Sequence, residues 1–204
     1  MNQTNYIERA NQLLVRVKVL LSQTDWTLIS DTNNIRLESK TFPNICAVDC
    51  FRTSGVINST PQILCKEVWN ETEGSIKKKD PDITEYKIVD QGDNWKVYYQ
   101  VNKMSWPLWS RKACCAQVKI QEGEDYWILI FSVDHEKVPL ENETYVRPIV
   151  HGSIYKFELF NGKTKVSKLS HIDPSGYIPA SVVSMYASKL TKTISDWMAV
   201  YKSV

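Results

Sequence analysis

The chain has 204 residues, of which 43% are hydrophobic, and its 25 basic and 23 acidic side chains leave a net charge of +2. This length suffices for one domain with a sizeable core, and no linker, repeat or low-complexity segment divides it, so residues 1–204 are predicted to form a single domain. The nearly balanced charge lacks the basic field of nucleic-acid-binding proteins, so we expect no nucleic-acid partner.

The lack of a secretory signal or membrane span in the sequence and the pattern of cysteines together predict a cytoplasmic protein. Arg9, Arg16 and Lys18 interrupt the apolar run that a secretory signal near the N-terminus would need. No stretch approaches the roughly 18 uninterrupted apolar residues of a membrane span. The five cysteines are an odd number without the spacing of a disulfide framework, which favours a reducing compartment.

The first half of the chain is predicted to contain helices at both sides of a small group of strands. Apolar residues at three- and four-residue steps predict an amphipathic helix over about 4–22. Thr60 and Pro61 are typical of a helix cap and first helical residue, in a helix that continues to about Asn70. The lysine run 77–79 is interpreted as a solvated turn. β-branched and aromatic content predicts strands over 26–30, 35–41 and 45–57.

The second half is predicted to form a larger sheet followed by a long helix. Asn161-Gly162 is a strong hairpin signal, and Asp173 to Gly176 have the composition of a β-turn. An apolar periodic pattern then predicts a C-terminal helix over about 179–203. The predicted strands span 83–90, 95–101, 113–120, 126–133, 146–160 and 165–172. Many short antiparallel strands bracketed by helices indicate an α+β fold.

Several motifs resemble those of one known family. The last quarter contains NGKTKV (161–166) and HIDPSGYIP (171–179) ahead of the amphipathic helix. Upstream lie VYYQV (97–101), WPLWSRK (106–112), and DHEKVP (134–139) with YVR (145–147). In this order they resemble the START domain, and they are nearest in motif to its phosphatidylcholine-transfer-protein-like members. The resemblance implies a helix-grip fold, in which a curved antiparallel sheet wraps around a long C-terminal helix and leaves an internal lipid tunnel.

The same resemblance implies a function. It predicts an intracellular lipid-binding and lipid-transfer protein that encloses one amphiphilic lipid, namely a phospholipid, sterol or sphingolipid, and exchanges it at membranes. Such a protein is expected to be a monomer without enzymatic activity or a cofactor. By alignment with the phosphatidylcholine-binding members, the choline-cage aromatics fall on Tyr99, Ala113 and His151, and the phosphate-binding arginine falls near residues 76–78. Sterol-binding members carry an arginine at the position of Gln117, so neither known headgroup site is complete.

Alternate residues on two predicted strands are small or polar, which is unusual for a filled core and leaves room for a ligand. Alternation alone does not decide which face is inside, because the opposite positions are apolar; the resemblance selects the face. The resulting lipid-contacting candidates are Tyr99, Arg111, Ala113, Cys115, Gln117, His151, Ser153, Tyr155, Tyr186, Leu190, Ile194 and Trp197.

The segment between two predicted strands near residue 106 is a candidate for membrane contact. Tryptophan prefers the membrane–water interface because its indole ring is apolar with one N–H donor. The alternative is that the tryptophans pack over the tunnel mouth. The candidate contact residues are Met104, Trp106, Pro107, Leu108 and Trp109.

Two other functions stay open. The protein could bind one lipid as a sensor or scaffold without exchanging it. Alternatively, Cys115 and His151 could form a thiol–imidazole pair of a thioesterase-type hydrolase if both face the tunnel. No hydrolase or phosphate-loop motif supports catalysis, and no His, Cys, Asp or Glu residues cluster along the sequence at metal-ligand spacing, so no metal site is predicted.

Overall fold

The computed structural model describes residues 3–138, 144–176, 178–179, 186–187 and 189–202. The helices in these ranges are α1 (Gln3–Ser22), α2 (Pro61–Trp69), α3 (Glu73–Lys79) and α4 (Lys192–Val200). The strands are β1 (Thr27–Thr32), β2 (Ile35–Phe42), β3 (Cys46–Ile57), β4 (Ile83–Gln91), β5 (Trp95–Asn102), β6 (Arg111–Glu122), β7 (Asp125–Ser132), β8 (Ile149–Phe160) and β9 (Lys163–Asp173).

All of these strands join one antiparallel sheet. Its order is β1-β2-β3-β9-β8-β7-β6-β5-β4, so β9 pairs with both β3 and β8. The predicted hairpin between β8 and β9 is confirmed: Asn161 and Gly162 have φ of 50° and 73°, which places both in the left-handed region that this two-residue turn requires. The curved antiparallel sheet with its helices is the predicted α+β helix-grip fold.

Helix α1 covers one face of the sheet, which we call the outer face. Its apolar stripe includes Tyr6, Ala10 and Leu13, which are buried. They pack in one cluster with residues from several strands, among them Cys114 of β6 and Leu169 of β9. The predicted amphipathic N-terminal helix therefore exists and closes the outer side of the sheet.

Helices α2 and α4 cover the opposite face, which we call the inner face. Leu64 of α2 and Ile194 of α4 are fully buried and share one cluster with Phe157 of β8 and Val166 of β9. A Cβ atom on Gly55 would lie 2.8 Å from Ile194 Cγ2, so only glycine lets α4 approach β3 this closely. Sheet, α2 and α4 thus form a second, well-packed core.

Three predicted elements differ from the structure. The lysine run 77–79 is the last turn of α3, not a loop; the helix begins after Thr72, whose side chain and Ser75 cap each other's backbone N–H groups. The strand predicted from residue 146 begins at Ile149. The C-terminal helix predicted over 179–203 is described in two parts: the helical residues Tyr186, Ala187, Lys189 and Leu190, which with α4 we call the C-terminal helical residues, and α4 itself, which begins after a turn at Thr191 and ends at Val200. Residues 180–185 and 188 lie outside the described ranges.

Candidate functional site

Four polar side chains meet on the inner face near the C-terminal helical residues. We call them the inner polar cluster: Tyr155 of β8, Lys168 and Ser170 of β9, and Tyr186. The Lys168 ammonium lies 5.1 Å from the centre of the Tyr155 ring, and the hydroxyl oxygens of Ser170 and Tyr186 are 3.0 Å apart. Lys168 and Ser170 alternate with the outward-facing Leu169, which is why both point to the inner face.

The inner polar cluster contains a charged group, the ammonium of the half-buried Lys168. Burial acts to lower the pKa of Lys168, but Tyr155 and Tyr186 beside it outweigh this effect, and the pKa is raised above that of a free lysine. Lys168 is therefore protonated at neutral pH. Burial also raises the pKa of the Tyr186 hydroxyl, so this group remains a neutral hydrogen-bond donor.

Beside the inner polar cluster lies an aromatic and apolar wall. Tyr86 and Tyr98 pack with ring centres 4.9 Å apart, and both contact the cluster that contains Ala113 and Cys115. Burial raises the pKa of both tyrosine hydroxyls, so both are neutral. Of the predicted site residues, Ala113 and Cys115 lie in this wall on the inner face, the face that the resemblance selects.

Other predicted residues also reach this face. Gln117 is buried two positions after Cys115, and Ser153 pairs across the strands with Ser170. Leu190 is buried against Leu37 of β2 and Phe51 of β3. The structure thus places small, polar and apolar side chains together over the central strands.

Ile194 and Trp197 belong to a filled core instead of a ligand surface. They are 0% and 4% exposed, and they pack among α2 and the sheet. The indole N–H of Trp197 donates to Glu67 Oε2 at 2.8 Å. Their predicted role in lipid contact is corrected: they anchor α4, because α2 fills the space beside them.

Tyr99 and His151 were predicted to face the tunnel, and both predictions are wrong. Tyr99 packs with the outer-face core, whereas its neighbour Tyr98 faces inward. The register of β8 shifts between Val150 and Gly152, and this bulge turns His151 to the outer face. There its ring lies 5.2 Å from that of His171, and burial lowers the pKa of both imidazoles.

Arg111 lies at the predicted position, but its guanidinium is occupied by the protein itself. It donates to the carbonyl oxygens of Trp109 at 2.5 Å, Pro174 at 3.2 Å and Ser175 at 2.9 Å. Arg111 therefore ties the β5–β6 loop to the turn that follows β9, and its role as a ligand contact is corrected.

The alternative of a thiol hydrolase does not agree with the structure. Cys115 lies on the inner face and His151 on the outer face, so the sheet separates the thiol from the imidazole. Burial also raises the pKa of the Cys115 thiol to about 12, which keeps the nucleophilic thiolate unpopulated at neutral pH. This pair cannot act as a nucleophile and its base.

The β5–β6 loop presents apolar side chains to solvent. Trp106 is 92% exposed and Trp109 is 57% exposed, while Met104 and Leu108 are half-buried and Pro107 is exposed. In this structure neither tryptophan is packed away over the sheet. Among the described helices, none combines the length and the apolar character needed to cross a membrane.

Sequence reasoning missed Lys168. Lys168 lies two residues after the apolar Val166, so both side chains point to the same face of the strand. A charged residue at such a core position is rare, and this pattern could have indicated a functional role.

Comparison with known proteins identifies the fold and the family. Human StAR-related lipid transfer protein 5 superposes with a TM-score of 0.81 at 18% identity, over 98% of this chain and 98% of that one. Human STARD10 gives 0.72 at 18% identity, over 97% and 78%. A StAR-related lipid transfer protein from Xanthomonas axonopodis gives 0.71 at 15% identity, over 88% and 100%.

Sequence comparison gives two results. No curated protein sequence matches the chain. The family model described as START domain matches residues 5–204, which is nearly the whole chain. The protein therefore belongs to the START domain family.

Proposed function

We propose that the protein binds one amphiphilic lipid between the inner face of the sheet and the C-terminal helical residues, and that it transfers this lipid between membranes. Membership of the START family supports lipid binding in general, and similar structures carry the name of lipid transfer proteins. The lipid class and the exchange step are argued from the inner polar cluster and the β5–β6 loop.

The observation that carries the proposal is the combination of accessibility and burial at Tyr186. The residue keeps 39% of its surface accessible, yet burial raises the pKa of its hydroxyl. Lys168 is likewise half-buried, although burial acts strongly on its ammonium. Both facts agree if the accessible surface faces an internal space and not bulk water. Such a space beside polar and apolar side chains suits a molecule with both characters.

The polar end of this molecule is proposed to be an anion, such as a phosphate or carboxylate. Lys168 is protonated, and the carboxylate that acts on its ammonium, that of Glu71, makes the smallest of the contributions that raise its pKa. A buried cation is stabilised by an opposite charge, which a ligand would supply here. The hydroxyls of Tyr155, Ser170 and Tyr186 add hydrogen-bond donors.

The apolar part of the ligand is proposed to lie along the neighbouring wall. Ile130, Val150 and Ile172 pack around Ala113 and Cys115 there. Leu190 packs in a separate apolar cluster with Leu37 and Phe51 on the same face. Transfer of an acyl chain from a bilayer to such a wall exchanges one apolar environment for another. Because exposure of each CH₂ to water costs about 0.8 kcal/mol, the protein needs a covered path and no chemical energy source.

Membrane contact is proposed for the loop that carries Met104, Trp106, Pro107, Leu108 and Trp109. Exposed indole rings such as those of Trp106 and Trp109 are less favourable in water than at the membrane–water interface. Arg111 connects this loop to the turn at Pro174 and Ser175, which precedes the C-terminal helical residues. Insertion of the β5–β6 loop into a membrane can therefore displace the C-terminal helical residues, which cover the proposed site. We further infer a protein of the cytoplasm, because its free cysteines suit a reducing compartment. A monomer is proposed as well, in keeping with the family resemblance.

A vesicle assay tests this function. Donor vesicles carry a fluorescent anionic phospholipid or a fluorescent zwitterionic one, and the purified protein is added with unlabelled acceptor vesicles. We expect concentration-dependent acceleration of exchange, faster for the anionic lipid. Saturable binding without accelerated exchange would reject transfer in favour of a sensor. Absence of both binding and exchange would reject the proposed function.

A further inference from the structure

The outer face carries a second group of chemically active side chains, which the lipid site does not use. Cys46, His151 and Asp173 are each half-buried there, and one ligand atom of each lies within 4.8 Å of the others. We propose that these three side chains form a binding site for a single divalent transition-metal ion, with Zn²⁺ as the natural occupant.

The sheet brings these residues together from distant parts of the sequence. Cys46 is the first residue of β3, Asp173 is the last residue of β9, and His151 lies at the bulge of β8. Since β9 lies between β3 and β8, Asp173 is flanked by the other two ligands. Cys46 lies about a hundred residues before His151 and Asp173 in the sequence, so no short motif contains the three residues. Without the bulge in β8, His151 would face the opposite side of the sheet.

The distances are close to those of a tetrahedral zinc site. Zinc binds thiolate sulfur at about 2.3 Å, and imidazole nitrogen or carboxylate oxygen at about 2.0–2.2 Å, so two ligand atoms lie about 3.3–3.7 Å apart. Cys46 Sγ and Asp173 Oδ2 are 3.8 Å apart. The ligand nitrogen of His151 lies within 4.8 Å of the other two ligand atoms. Side-chain rotations that move these atoms by about 1 Å would therefore bring all three to zinc-binding distances. Water would occupy the fourth position.

Neighbouring groups already orient the ligands. Asp173 Oδ1 accepts a hydrogen bond from the Ser175 backbone N–H at 2.8 Å, which leaves Oδ2 directed at Cys46. The carbonyl of His151 accepts from Arg16 at 2.9 Å, and its ring packs on His171, whose Nε2 is 3.1 Å from the Val48 carbonyl. The hydrogen bond from Ser175 fixes the orientation of the Asp173 carboxylate, as hydrogen bonds to ligands do in metal sites.

The charge balance is also suitable. On binding, the Cys46 thiol releases its proton to solvent and the ion gives up water molecules, with no change in oxidation state. The resulting thiolate and the Asp173 carboxylate together offset the two positive charges of the ion. This compensation matters because the Arg16 guanidinium lies on the same face.

The position of the site gives it a structural consequence. Asp173 starts the turn whose Pro174 and Ser175 carbonyls hold Arg111. A bound ion would fix this turn to β3 and β8, immediately before the C-terminal helical residues. The group of Cys46, His151 and Asp173 lies on the opposite face of the sheet from the inner polar cluster.

Cobalt titration tests the site directly. Reduced, metal-free protein is titrated with Co²⁺, and we expect a thiolate-to-cobalt charge-transfer band that saturates at about one equivalent and is removed by Zn²⁺. Cys46→Ser should abolish the band, and His151→Gln and Asp173→Asn should weaken Co²⁺ binding at least about tenfold. The matched controls are Cys65→Ser and His135→Gln, which remove a thiol and an imidazole elsewhere and should leave the band unchanged. Absence of the band in the wild-type protein, or its persistence in Cys46→Ser, would overturn the proposal.

A second measurement does not depend on the folding of any variant. Wild-type protein is treated with N-ethylmaleimide with and without Zn²⁺, and modification of each cysteine is followed by peptide mass spectrometry. Zn²⁺ should slow the modification of Cys46 at least about tenfold, because the coordinated thiolate is protected. An unchanged Cys46 rate at saturating Zn²⁺ would contradict the site.

Discussion

Under the proposed function, Lys168 is the residue on which the identity of the ligand depends most. It lies in the middle of the sheet, on the strand between β3 and β8, with its ammonium over the Tyr155 ring. A protonated lysine in this position is costly for folding unless a partner stabilises its charge. Evolution toward stability alone would favour an apolar side chain, so we interpret Lys168 as a binding group.

The first prediction concerns this charge. Lys168→Gln should weaken binding of an anionic amphiphile by about tenfold to a hundredfold, the value of a lost charge-assisted hydrogen bond. Thermal stability should stay the same or rise, because a buried cation is removed. The matched control is Lys165→Gln, which removes an exposed lysine from the same strand. Equal binding by the two variants, measured by lipid titration, would show that Lys168 does not contact the ligand.

The candidate site could be predicted only in part, because Tyr99 and His151 were expected on the inner face and lie on the outer face. Alternation grouped Ala113 with Cys115 and Ser153 with Tyr155, because it needs only the period of a strand, and the resemblance selected the inner face, where the structure places all four. Tyr99 was assigned by alignment, and a shift of one residue exchanges the two faces of a strand. His151 was misplaced by the β8 bulge, which has no local sequence signal.

At the scale of elements, α4 has two faces with different roles. Ile194 is fully buried against Gly55 and the α2 core, whereas Val200 on the same helix is 72% exposed.

The second prediction follows from this difference. Ile194→Asp should lower the free energy of unfolding by about 3 kcal/mol or more, because the carboxylate would be buried without a partner. Val200→Asp should change it by less than about 0.5 kcal/mol, as is usual at exposed sites. Chemical denaturation measures both values, and a similar loss in the two variants would contradict the described orientation of α4.

Lys189 links the C-terminal helical residues to the loop before β4. Its ammonium is 2.5 Å from Asp82 and 3.6 Å from Asp80, and the hydrogen bond to Asp82 raises the pKa of Lys189. We infer that these ion pairs help to hold the cover of the site closed.

The third prediction tests this link. Lys189→Gln should accelerate lipid exchange by about two- to fivefold, since an exposed ion pair contributes about 1 kcal/mol or less to the closed state. The control is Lys192→Gln, whose ion pair with Asp196 lies within α4 and bridges no other element. If both variants exchange lipid at the wild-type rate, the Lys189 ion pairs do not limit opening.

The fourth prediction concerns the β5–β6 loop. Trp106→Ala with Trp109→Ala should reduce vesicle association and exchange rate, because two interfacial anchors are lost. Thermal stability should change little, since both rings are mostly exposed. Leu28→Ala with Ile29→Ala is the control, as it removes two exposed apolar side chains from β1. Vesicle sedimentation that is equally reduced by both double variants would argue against a specific membrane loop.

At the scale of the whole molecule, the order of elements was predictable because it depends on local signals. Strand periodicity, the Thr60-Pro61 helix start and the Asn161-Gly162 turn are each encoded within a few residues. The pairing of β9 with both β3 and β8 is not encoded locally, and it decides which side chains meet. The proposed lipid site and the outer-face group of Cys46, His151 and Asp173 both arise from this pairing.

Under the proposed function, the two faces of the sheet have different roles. The inner face encloses the ligand between sheet and helical residues, and the outer face is closed by α1. The Arg111 contacts connect the exposed loop with the turn after β9, so membrane contact and opening of the site can be coupled.

Native mass spectrometry of the protein after incubation with vesicles of mixed lipids tests the central claim most directly. The vesicles contain anionic and zwitterionic phospholipids together with a sterol, and the protein is separated from them before measurement. The account predicts a complex of one chain with one lipid, enriched in the anionic lipids and reduced in Lys168→Gln. Recovery of only the ligand-free mass from this mixture would contradict it.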